Sequence, residues 1–533
     1  MFPLENVKIC KGVGIMNVLL VGINSKFIHP NVAIRLLKKN SNNNVSLKEY
    51  TIKDDVEEII NYINSSNAEI VGLSVYIWNV NIIKSILPKL KKKILLGGPE
   101  VSFDNNEYFE HVDYILRGES EKSFDILLDN LDNLEVVPGL SYKKDSIIHN
   151  KMIEPTLDIE FANDIDFSKH QIQYIETSRG CPYKCSYCLA SLEEKVRYFP
   201  TEQIINNINE LIKGGAKTFK FLDRTFNLNI SKSVEVINYI IEHHRPGNSF
   251  QFEITGDILN ERIMNAIHKA PVGLFRFEIG IQSTNDKTNE AVDRKQDTEK
   301  LFSVIDEIQT AGIVDLHVDL IAGLPYEDLN SFKKTFNDTF SLGVKELQLG
   351  FLKLLKGTKL RFQADKWGYE YSDAPYELIK SDFLSKRDIS KIHTVEEVLE
   401  KYWNSGYLTE SLKIIMDDPF DFFLEYGEYY ESKYSWFNYQ LSDLFKRLYD
   451  YVDKGHEQII IDYLNYHKVK PKRWWNPLDK SVKNNVLRLF YEEDKTYTLQ
   501  ELYKYSVVEK VDNYIIKVYK PENINIYKRD YKL

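Results

Sequence analysis

The sequence predicts an α/β protein with an N-terminal doubly wound parallel sheet, a second αβ series and a mainly helical C-terminal extension. Three observations carry this prediction. A chain of 533 residues is too long for one hydrophobic core. Two separate series of short apolar strand patterns alternate with segments of helical spacing, and helical patterns dominate after residue 356. The predicted parts are residues 16–135, a connector over 136–170, residues 171–355, and residues 356–533.

The first series contains five strand patterns and four helical patterns. The strands are predicted over Asn17–Ile23, Val45–Tyr50, Glu69–Tyr76, Lys93–Leu96 and Tyr114–Leu116. Helices are predicted over Asn31–Lys39, Val56–Ile63, Asn79–Leu90 and Ser120–Leu131. In a doubly wound sheet the ligand crevice lies at the carboxyl ends of the strands. Two polar, glycine-bearing runs follow successive strands there, Gly97-Gly98-Pro99-Glu100 and Arg117-Gly118-Glu119-Ser120-Glu121.

The connector, with Val137-Pro138-Gly139 and alternating polar stretches, predicts a hairpin. The second series then has six strand patterns: Gln173–Glu176, Thr218–Leu222, Phe250–Ile254, Leu274–Ile281, Asp315–Ile321 and Glu346–Phe351. Helices are predicted between them over Glu202–Lys213, Ser231–His244, Asn260–His268, Thr298–Ala311 and Asn330–Leu342. In αβ barrels the chemistry lies at the C-terminal strand ends.

Three of the four cysteines lie within eight residues, directly after the first of these strands. Cys181, Cys185 and Cys188 form a C-x3-C-x2-C loop, and the fourth, Cys10, is distant in the sequence. Three thiolates can hold three irons of a [4Fe–4S] cube and leave the fourth iron open, which is typical of a catalytic metal site. A zinc site would need a fourth ligand, and no histidine follows until His243. A disulfide would leave an odd thiol and suits a secreted chain.

The cysteine loop in Glu176-Thr-Ser-Arg-Gly-Cys-Pro-Tyr-Lys-Cys-Ser-Tyr-Cys188, with the barrel pattern after it, resembles that of the radical S-adenosylmethionine (radical SAM) enzymes. The resemblance implies a partial (β/α)6 barrel, a [4Fe–4S] cluster bound by the three cysteines, and SAM bound at the open iron. One electron then cleaves SAM to a 5′-deoxyadenosyl radical, so that the cofactor supplies the chemistry.

The first series, with its two polar runs placed before the cysteine loop, resembles the cobalamin-binding domain of one large radical SAM subgroup. The cobalamin contacts this implies are Ser74, Tyr76, Trp78, Gly97, Gly98, Pro99, Glu100, Gly118 and Glu119. The D-x-H-x-x-G motif, whose histidine ligates cobalt in many cobalamin proteins, is absent. His29 lacks that context, so cobalamin is expected to bind without a histidine ligand, with Tyr76 and Trp78 as candidate walls of the lower face.

The family resemblance also implies SAM contacts, carried over position by position. Tyr187 matches the position beside adenine. Asp223, after the second barrel strand, is the candidate for the amino group, although Phe221–Asn227 departs from the common Gly-Gly-Glu form. The remaining candidates, at the ends of the third and fourth strands, are Glu253, Glu278, Gln282 and Ser283.

Residues 356–533 resemble a C-terminal extension of unknown function found on one branch of this family, for which the run Leu347–Gly357 is typical. The net charge of −10 and the lack of a long basic run argue against nucleic acid as a main partner. No apolar run is long enough to span a membrane, and the first fifteen residues lack the apolar core of a signal peptide. With few cysteines, this favours the cytoplasm.

The main functional hypothesis is an enzyme that uses SAM both for the radical and to methylate cobalamin, and that transfers methyl to an unactivated carbon. The alternatives are cobalamin-associated ring closure or rearrangement without methyl transfer, a tRNA methylthiotransferase-like enzyme, and a non-enzymatic cobalamin or redox sensor. The methylthiotransferases carry three further N-terminal cysteines, and only Cys10 occurs here. The expected partners are a small-molecule or peptide substrate and an external electron donor such as flavodoxin or ferredoxin.

Transfer of a methyl group or a radical between the cobalamin domain and the barrel requires reacting atoms that are close together and correctly oriented. We therefore expect the Gly97–Glu100 loop to face the Cys181–Cys188 loop across a shared cavity, closed on one side by residues after 356.

Overall fold

The computed structural model describes residues 16–163, 171–193, 195–467, 478–510, 513–520 and 523–532. Cys10 and part of the connector lie outside the described residues. The chain divides into two compact units, Met1–Asp328 with Gly350–Ser385, and Leu329–Leu349 with Lys386–Leu533. The four-part division expected from the sequence stays a prediction.

The first sheet has seven strands: β1 (Asn17–Asn24), β2 (Asn44–Thr51), β3 (Ile70–Ser74), β4 (Lys93–Gly97), β5 (Tyr114–Leu116), β6 (Leu140–Lys143) and β7 (Ile147–His149). Its helices are α1 (Val32–Lys39), α2 (Val56–Ser65), α3 (Val80–Ile86) and α4 (Glu121–Asp129). The strand order is β2-β1-β3-β4-β5-β6-β7, with the first five strands parallel. The order reverses between β1 and β3, and such a switch point is where doubly wound sheets bind ligands.

Alternating residues of β1 explain why both faces of this sheet are covered. Leu19, Val21 and Ile23 pack into one apolar core, whereas Val18 and Leu20 pack into the other. Successive side chains of a strand point to opposite faces, so a strand that is apolar throughout requires helices on both sides. The predicted doubly wound fold is confirmed. The predicted hairpin is β6–β7, and it pairs antiparallel with β5, so it extends the sheet.

The second series contains β8 (Gln173–Ile175), β9 (Ser178–Arg179), β10 (Arg197–Tyr198), β11 (Thr218–Phe221), β12 (Ser249–Ile254), β13 (Phe275–Gln282), β14 (Asp315–Ala322) and β15 (Glu346–Phe351). Its helices are α5 (Thr201–Gly214), α6 (Ile230–His243), α7 (Glu261–Ile267), α8 (Asp286–Ala291), α9 (Thr298–Ala311) and α10 (Leu329–Phe340). Six strands form one sheet in the order β15-β14-β13-β12-β11-β8, which is the predicted partial barrel, while β9 and β10 pair separately.

The strands of the barrel alternate between aromatic and polar residues. On β11 and β12, Phe219 stacks on Phe250 and Phe221 stacks on Phe252. The residues between them are polar and half-buried, as with Lys220, Gln251 and Glu253. One face of the sheet therefore packs as an apolar layer, and the other carries charged groups.

The first unit ends with α11 (Lys359–Phe362), β16 (Glu370–Tyr371) and β17 (Leu378–Lys380). The second unit includes α10 and then α12 (Lys386–Val398), α13 (Thr409–Ile415), α14 (Pro419–Lys433), α15 (Leu441–Tyr451), α16 (His456–His467), α17 (Lys480–Glu493) and α18 (Leu499–Tyr505). A π-helical stretch covers Leu399–Asn404, and the strands β18 (Ser506–Lys510), β19 (Tyr514–Tyr519) and β20 (Ile524–Arg529) form an antiparallel sheet. The mainly helical extension is thus confirmed.

Short 3-10 turns complete the described secondary structure at Leu87–Lys89, Pro99–Val101, Asn106–Glu110, Leu134–Val136, Leu189–Leu192, Phe226–Leu228, Gly256–Ile258 and Ala364–Trp367. Among the described residues no helix is both long and apolar enough to cross a membrane.

Candidate functional site

A cavity of about 660 Å³ lies in the first unit, between the strand ends of the first sheet and the loop region of the barrel. All nine predicted cobalamin contacts line it: Ser74, Tyr76, Trp78, Gly97, Gly98, Pro99, Glu100, Gly118 and Glu119. From the barrel side, Gly180 lines it just before the first cysteine, and Leu189 lines it just after the third. Leu355 and Lys356 complete the lining after β15. The cavity therefore reaches the flanks of the cysteine loop, but none of the three cysteines and no described residue after Lys356 lines it.

The loops after β3 and β4 are locked together by backbone contacts. The N–H of Val75 donates to Gly97 O at 2.8 Å, and the N–H of Glu100 donates to Val75 O at 3.4 Å. Gly98 lies at φ +114°, and a Cβ there would meet Val75 O at 2.5 Å. Only glycine fits both conditions, which explains the glycine in this run.

Tyr76 and Trp78 form an aromatic wall of the cavity. Their rings stack with centroids 4.4 Å apart and planes within 6°. Trp78 Nε1 donates to Ile23 O at 3.1 Å, which fixes the indole against the end of β1. Burial raises the pKa of Tyr76 to about 12, so its hydroxyl stays protonated at neutral pH. The wall offers flat apolar surface with a neutral hydroxyl, as binding of a large planar ring requires.

His29 lies away from this wall. Its Nδ1 is 2.7 Å from the hydroxyl of Tyr174, on β8. Burial lowers the pKa of His29, and the charges of Lys26 and Lys220 lower it further. Within the described chain, no histidine lines the cavity.

Backbone hydrogen bonds hold the cysteine loop, both to segments outside it and within it. The N–H of Ser186 donates to Val292 O at 2.8 Å, and Ser186 O accepts from the N–H of Leu360 at 2.8 Å. Cys188 N–H donates to Cys185 O at 3.1 Å, which closes the turn between the second and third cysteines. These bonds fix the loop before any cofactor binds.

The thiols are free and lie near one another. Cys181 and Cys185 are buried, Cys188 is half-buried, and none forms a disulfide. Burial raises the pKa of Cys181, as do the nearby Cys188 and Cys185, whereas donors from Tyr183 N–H and Thr225 oppose the rise. In the described part of the chain, no three His, Cys, Asp or Glu side chains are arranged to share one metal ion. A [4Fe–4S] cube requires a different arrangement, in which each of three irons takes one thiolate, and three neighbouring free thiols fit it.

Arg294 lies against this loop, although no sequence pattern marks it as a site residue. Its guanidinium donates to Tyr187 Oη at 3.4 Å and to Gly280 O, and it also contacts Cys185. Burial lowers the pKa of Arg294, but the neighbouring Tyr187 and Cys185 outweigh it and the net shift is upward. A guanidinium beside a cluster-ligand sulfur can donate a hydrogen bond to it.

The six predicted SAM contacts lie elsewhere in the barrel, and none of them is among the described residues that line the cavity. Burial raises the pKa of Tyr187, whose hydroxyl contacts Cys185. Asp223 is almost fully buried, and its carboxylate accepts from Thr177 N–H at 2.9 Å, Thr177 Oγ1 at 2.6 Å and Ser178 Oγ at 2.6 Å. Burial raises the pKa of Asp223. These bonds place Asp223 as a support of the strand that precedes the cysteines, and its contact with SAM stays a prediction.

Glu253 and Glu278 lie side by side on the polar face of the barrel. Lys220 Nζ is 2.9 Å from Glu278 and 4.0 Å from Glu253, and Gln251 donates to Glu278 at 2.6 Å. Burial raises the pKa of Glu253. Burial acts the same way on Glu278, but Lys220 outweighs it and the pKa of Glu278 falls below its ordinary value. Arg224, which lines the cavity, lies 3.9 Å from Glu253.

Gln282 and Ser283 close the fourth barrel strand. Gln282 lies at φ +66°, and its buried Oε1 has no hydrogen-bond partner among the described residues. Ser283 is fully buried and donates to Glu327 at 2.6 Å. The orphaned oxygen of Gln282 fits an amide that awaits a ligand donor. Ser283 instead supports the turn, and both contacts with SAM stay predictions.

Three family models match the chain in order. They are the B12 binding domain over residues 18–128, the radical SAM superfamily over 175–339, and a protein family of unknown function (DUF4080) over 365–529. The chain belongs to the radical SAM proteins that carry an N-terminal cobalamin-binding domain. The predicted family and its three cofactors, a [4Fe–4S] cluster, SAM and cobalamin, are thereby confirmed.

Two relatives and one solved structure are similar to the chain at low identity. An uncharacterized methyltransferase, PH0819 of Pyrococcus horikoshii, is 23% identical over 399 residues, covering 69% of this chain and 83% of the relative. The cobalamin-dependent radical SAM methyltransferase TokK of Streptomyces tokunonensis is 23% identical over 312 residues, 52% of this chain and 46% of TokK. The structure of the cobalamin-dependent SAM radical enzyme OxsB, with aqua-cobalamin and SAM bound, has a TM-score of 0.59 at 16% identity and covers 90% of this chain and 79% of OxsB.

Proposed function

We propose that the chain is a cobalamin-dependent radical SAM enzyme that reductively cleaves SAM and transfers a methyl group to an unactivated carbon. The observation that carries the proposal is the shared cavity, in which the nine cobalamin candidates face the flanks of the cysteine loop. Two relatives, PH0819 and TokK, bear methyltransferase names. When bound, the cluster and SAM supply a carbon-centred radical, and cobalamin supplies the methyl group.

The residues of the chain bind and orient these groups. Cys181, Cys185 and Cys188 are proposed to hold the cluster. Tyr76 and Trp78 would cover one face of the corrin, and Gly97 and Gly98 would let the backbone approach it. Such rigid walls hold reactants in reactive geometry and exclude water, which protects a radical from side reactions.

The proposed SAM contacts follow the cluster along the barrel. Tyr187, within the cysteine loop, is the candidate for packing beside adenine, and Gln282, at the end of β13, is a further candidate SAM contact. Glu253, beside Arg224, is the candidate for the ribose hydroxyls. Asp223, Glu278 and Ser283 complete the proposed set. The external one-electron donor, such as flavodoxin or ferredoxin, and a small-molecule or peptide substrate belong to the same proposal.

The test uses anaerobically reconstituted protein with hydroxocobalamin, SAM and a chemical reductant. Formation of 5′-deoxyadenosine, together with S-adenosylhomocysteine and methylcobalamin, is the expected result. The Cys185→Ala variant is the matched control and should form no 5′-deoxyadenosine. Wild-type protein with a full cluster that leaves SAM intact would overturn the proposal.

The ratio of the two SAM products separates methyl transfer from rearrangement. A methyl transfer consumes one SAM for the methyl group and one for the radical, so both products should appear. A rearrangement would form 5′-deoxyadenosine without S-adenosylhomocysteine. That result would exclude methyl transfer and favour a rearrangement instead.

A further inference from the structure

Two motifs from different domains meet in an ion-pair cluster at the edge of the cavity. Arg179, two residues before Cys181, lies 3.0 Å from Glu119 and 2.8 Å from Glu121 through its Nη1. Its other nitrogens donate to Glu176 at 2.8 and 3.2 Å. Arg197 donates to Glu119 at 3.0 Å from the neighbouring strand. Glu119 and Glu121 belong to the first domain, so the cluster joins the predicted cobalamin loop to the cysteine loop.

The groups of this cluster are shielded from water. The side chain of Arg179 is 10% exposed, and those of Glu119, Glu121 and Glu176 are between 12% and 17% exposed. The two guanidinium groups outweigh the effect of burial and lower the pKa of Glu119. Shielded ion pairs are screened little by salt, and removing one partner leaves an uncompensated charge.

The backbone on the barrel side transmits any movement of Arg179 to the first cysteine. Gly180 separates Arg179 from Cys181 and lies at φ +89°. A Cβ at Gly180 would meet Lys195 O at 2.3 Å, so the backbone here is tightly packed against the segment that leads into β10. Arg179 and Arg197 themselves pair across β9 and β10. The backbone between the Arg179 guanidinium and the Cys181 thiol therefore has little room to change conformation independently.

The other end of the ion pair is also anchored and also lines the cavity. Arg117 N–H donates to Gly139 O at 3.1 Å, and Gly118 N–H donates to Ser102 Oγ at 3.1 Å. Gly118, Glu119, Glu121, Arg179 and Gly180 all line the same cavity. A ligand that fills the cavity on the first-domain side therefore touches the loop that carries the ion pair.

We propose that the Arg179–Glu119 ion pair couples cobalamin binding to the cysteine loop, so that Arg179 is a positioning residue. The inference rests on the proposed function for the identity of the two cofactors. On this proposal Glu119 binds the Arg179 guanidinium and does not contact the corrin. Since coupling between two binding sites is reciprocal, a loaded cluster should change the affinity for cobalamin, and the ion pair should carry that change.

The experiment measures the dissociation constant of hydroxocobalamin for the full-length protein with and without its cluster. The cluster-free form is the Cys181→Ala/Cys185→Ala/Cys188→Ala variant. In the wild-type background we expect a ratio of about fivefold or more between the two constants, the lower range of measured couplings. In the Arg179→Gln and Glu119→Gln backgrounds the ratio should fall to within about twofold. The matched control is Lys195→Gln, which breaks an exposed pair with Glu154 in the same region and should keep the wild-type ratio.

A purely structural role gives a different result. If the ion pair only stabilises the fold, the variants bind cobalamin more weakly in both states and the ratio is unchanged, which would overturn the inference. Arg179→Lys keeps the positive charge but loses the planar guanidinium that binds two carboxylates at once. It should therefore retain part of the difference between the two cobalamin dissociation constants. A wild-type protein that binds no cobalamin or no cluster would refute the proposed function instead. Binding of both cofactors without coupling would refute the inference alone.

Discussion

Lys356 and Glu100 form a buried ion pair, with Nζ 3.5 Å from Oε1 and side chains only 7% and 5% exposed. The hydroxyl of Tyr376 donates to the same carboxylate, and Lys356 also lies 3.4 Å from Glu107. The segment that follows the barrel is therefore fastened to the Gly97–Glu100 loop at the wall of the cavity.

Replacing Lys356 by methionine should destabilise the first unit by about 3–5 kcal/mol, because it leaves the Glu100 carboxylate buried without its cation. Chemical denaturation measures the loss. The control is Lys380→Met, whose partner Glu370 is exposed and whose effect should stay below about 1 kcal/mol. Equal effects of the two substitutions would show that the Lys356 pair contributes no more than a surface contact.

His29 should make stability depend on pH below neutrality. Because burial, Lys26 and Lys220 lower its pKa in the folded state, the unfolded chain takes up a proton that the folded chain does not. Stability is therefore full above the ordinary histidine pKa of about 6.5 and falls as the pH drops below it. Unfolding free energies at about pH 7.5 and about pH 5.5 should differ less in His29→Gln than in the wild type. The exposed His111→Gln is the control, and an unchanged difference in His29→Gln would contradict the prediction.

Arg294 should raise the reduction potential of the cluster. A donor and a positive charge beside Cys185 stabilise the reduced, more negative cluster. The potential reflects only the difference in strength of this bond between the two redox states, so the loss of a charge-assisted bond of about 1.5–3 kcal/mol should lower the potential by tens of millivolts, up to about 65–130 mV for one electron. Redox titration followed by electron paramagnetic resonance measures the shift in Arg294→Gln, after equal iron content has been verified. The exposed neighbour Lys295→Gln should shift the potential less, and a shift of the same size in both would leave only a general charge effect.

Bound cob(II)alamin should show no nitrogen coupling from a protein histidine. The lining of the cavity includes no described histidine, and His29 Nδ1 is hydrogen-bonded with Tyr174. The spectrum should be the same for protein labelled with ¹⁵N-histidine, unlabelled protein and His29→Ala. A nitrogen splitting that changes with the label and disappears in His29→Ala would identify His29 as a cobalt ligand.

The strands of both αβ series could be predicted from the sequence because their apolar periods are set locally. On β13, for example, Phe275, Phe277 and Ile279 alternate with half-buried residues, and the pattern alone marks the strand. The polar runs after β4 and β5 could be assigned to one crevice because parallel strands place their carboxyl ends at one edge.

Local sequence patterns do not single out helix α14, for a physical reason. It contains Gly427 and several aromatic residues, which are weak helix formers. A Cβ at Gly427 would meet a methyl carbon of Thr394 at 2.4 Å, so the glycine permits close approach of α12 and α14. Tertiary packing decides this helix, and packing does not appear in local periodicity.

Within the site, the sequence could indicate ligand types but not pairings. Arg179 and Glu119 stand in motifs that attract notice, yet nothing in either motif shows that they pair across 60 residues. Arg294 lies in no recognisable pattern, and only the folded barrel brings it to Cys185. The Arg179–Glu119 pair depends on how the first sheet packs against the barrel, and the Arg294–Cys185 contact depends on the fold of the barrel itself.

The most direct test of the proposed reaction site measures the magnetic interaction between cobalamin and the cluster. Protein loaded with cobalamin and cluster is poised at a potential where part of the sample holds both cob(II)alamin and the reduced cluster. Because cobalamin is assigned to the cavity of about 660 Å³ and the cluster to the cysteine loop, whose flanks Gly180 and Leu189 line that cavity, electron paramagnetic resonance should show spin–spin broadening or faster relaxation relative to either centre alone. Spectra that are the plain sum of two isolated centres, in protein shown to contain both, would contradict the shared cavity as the reaction site.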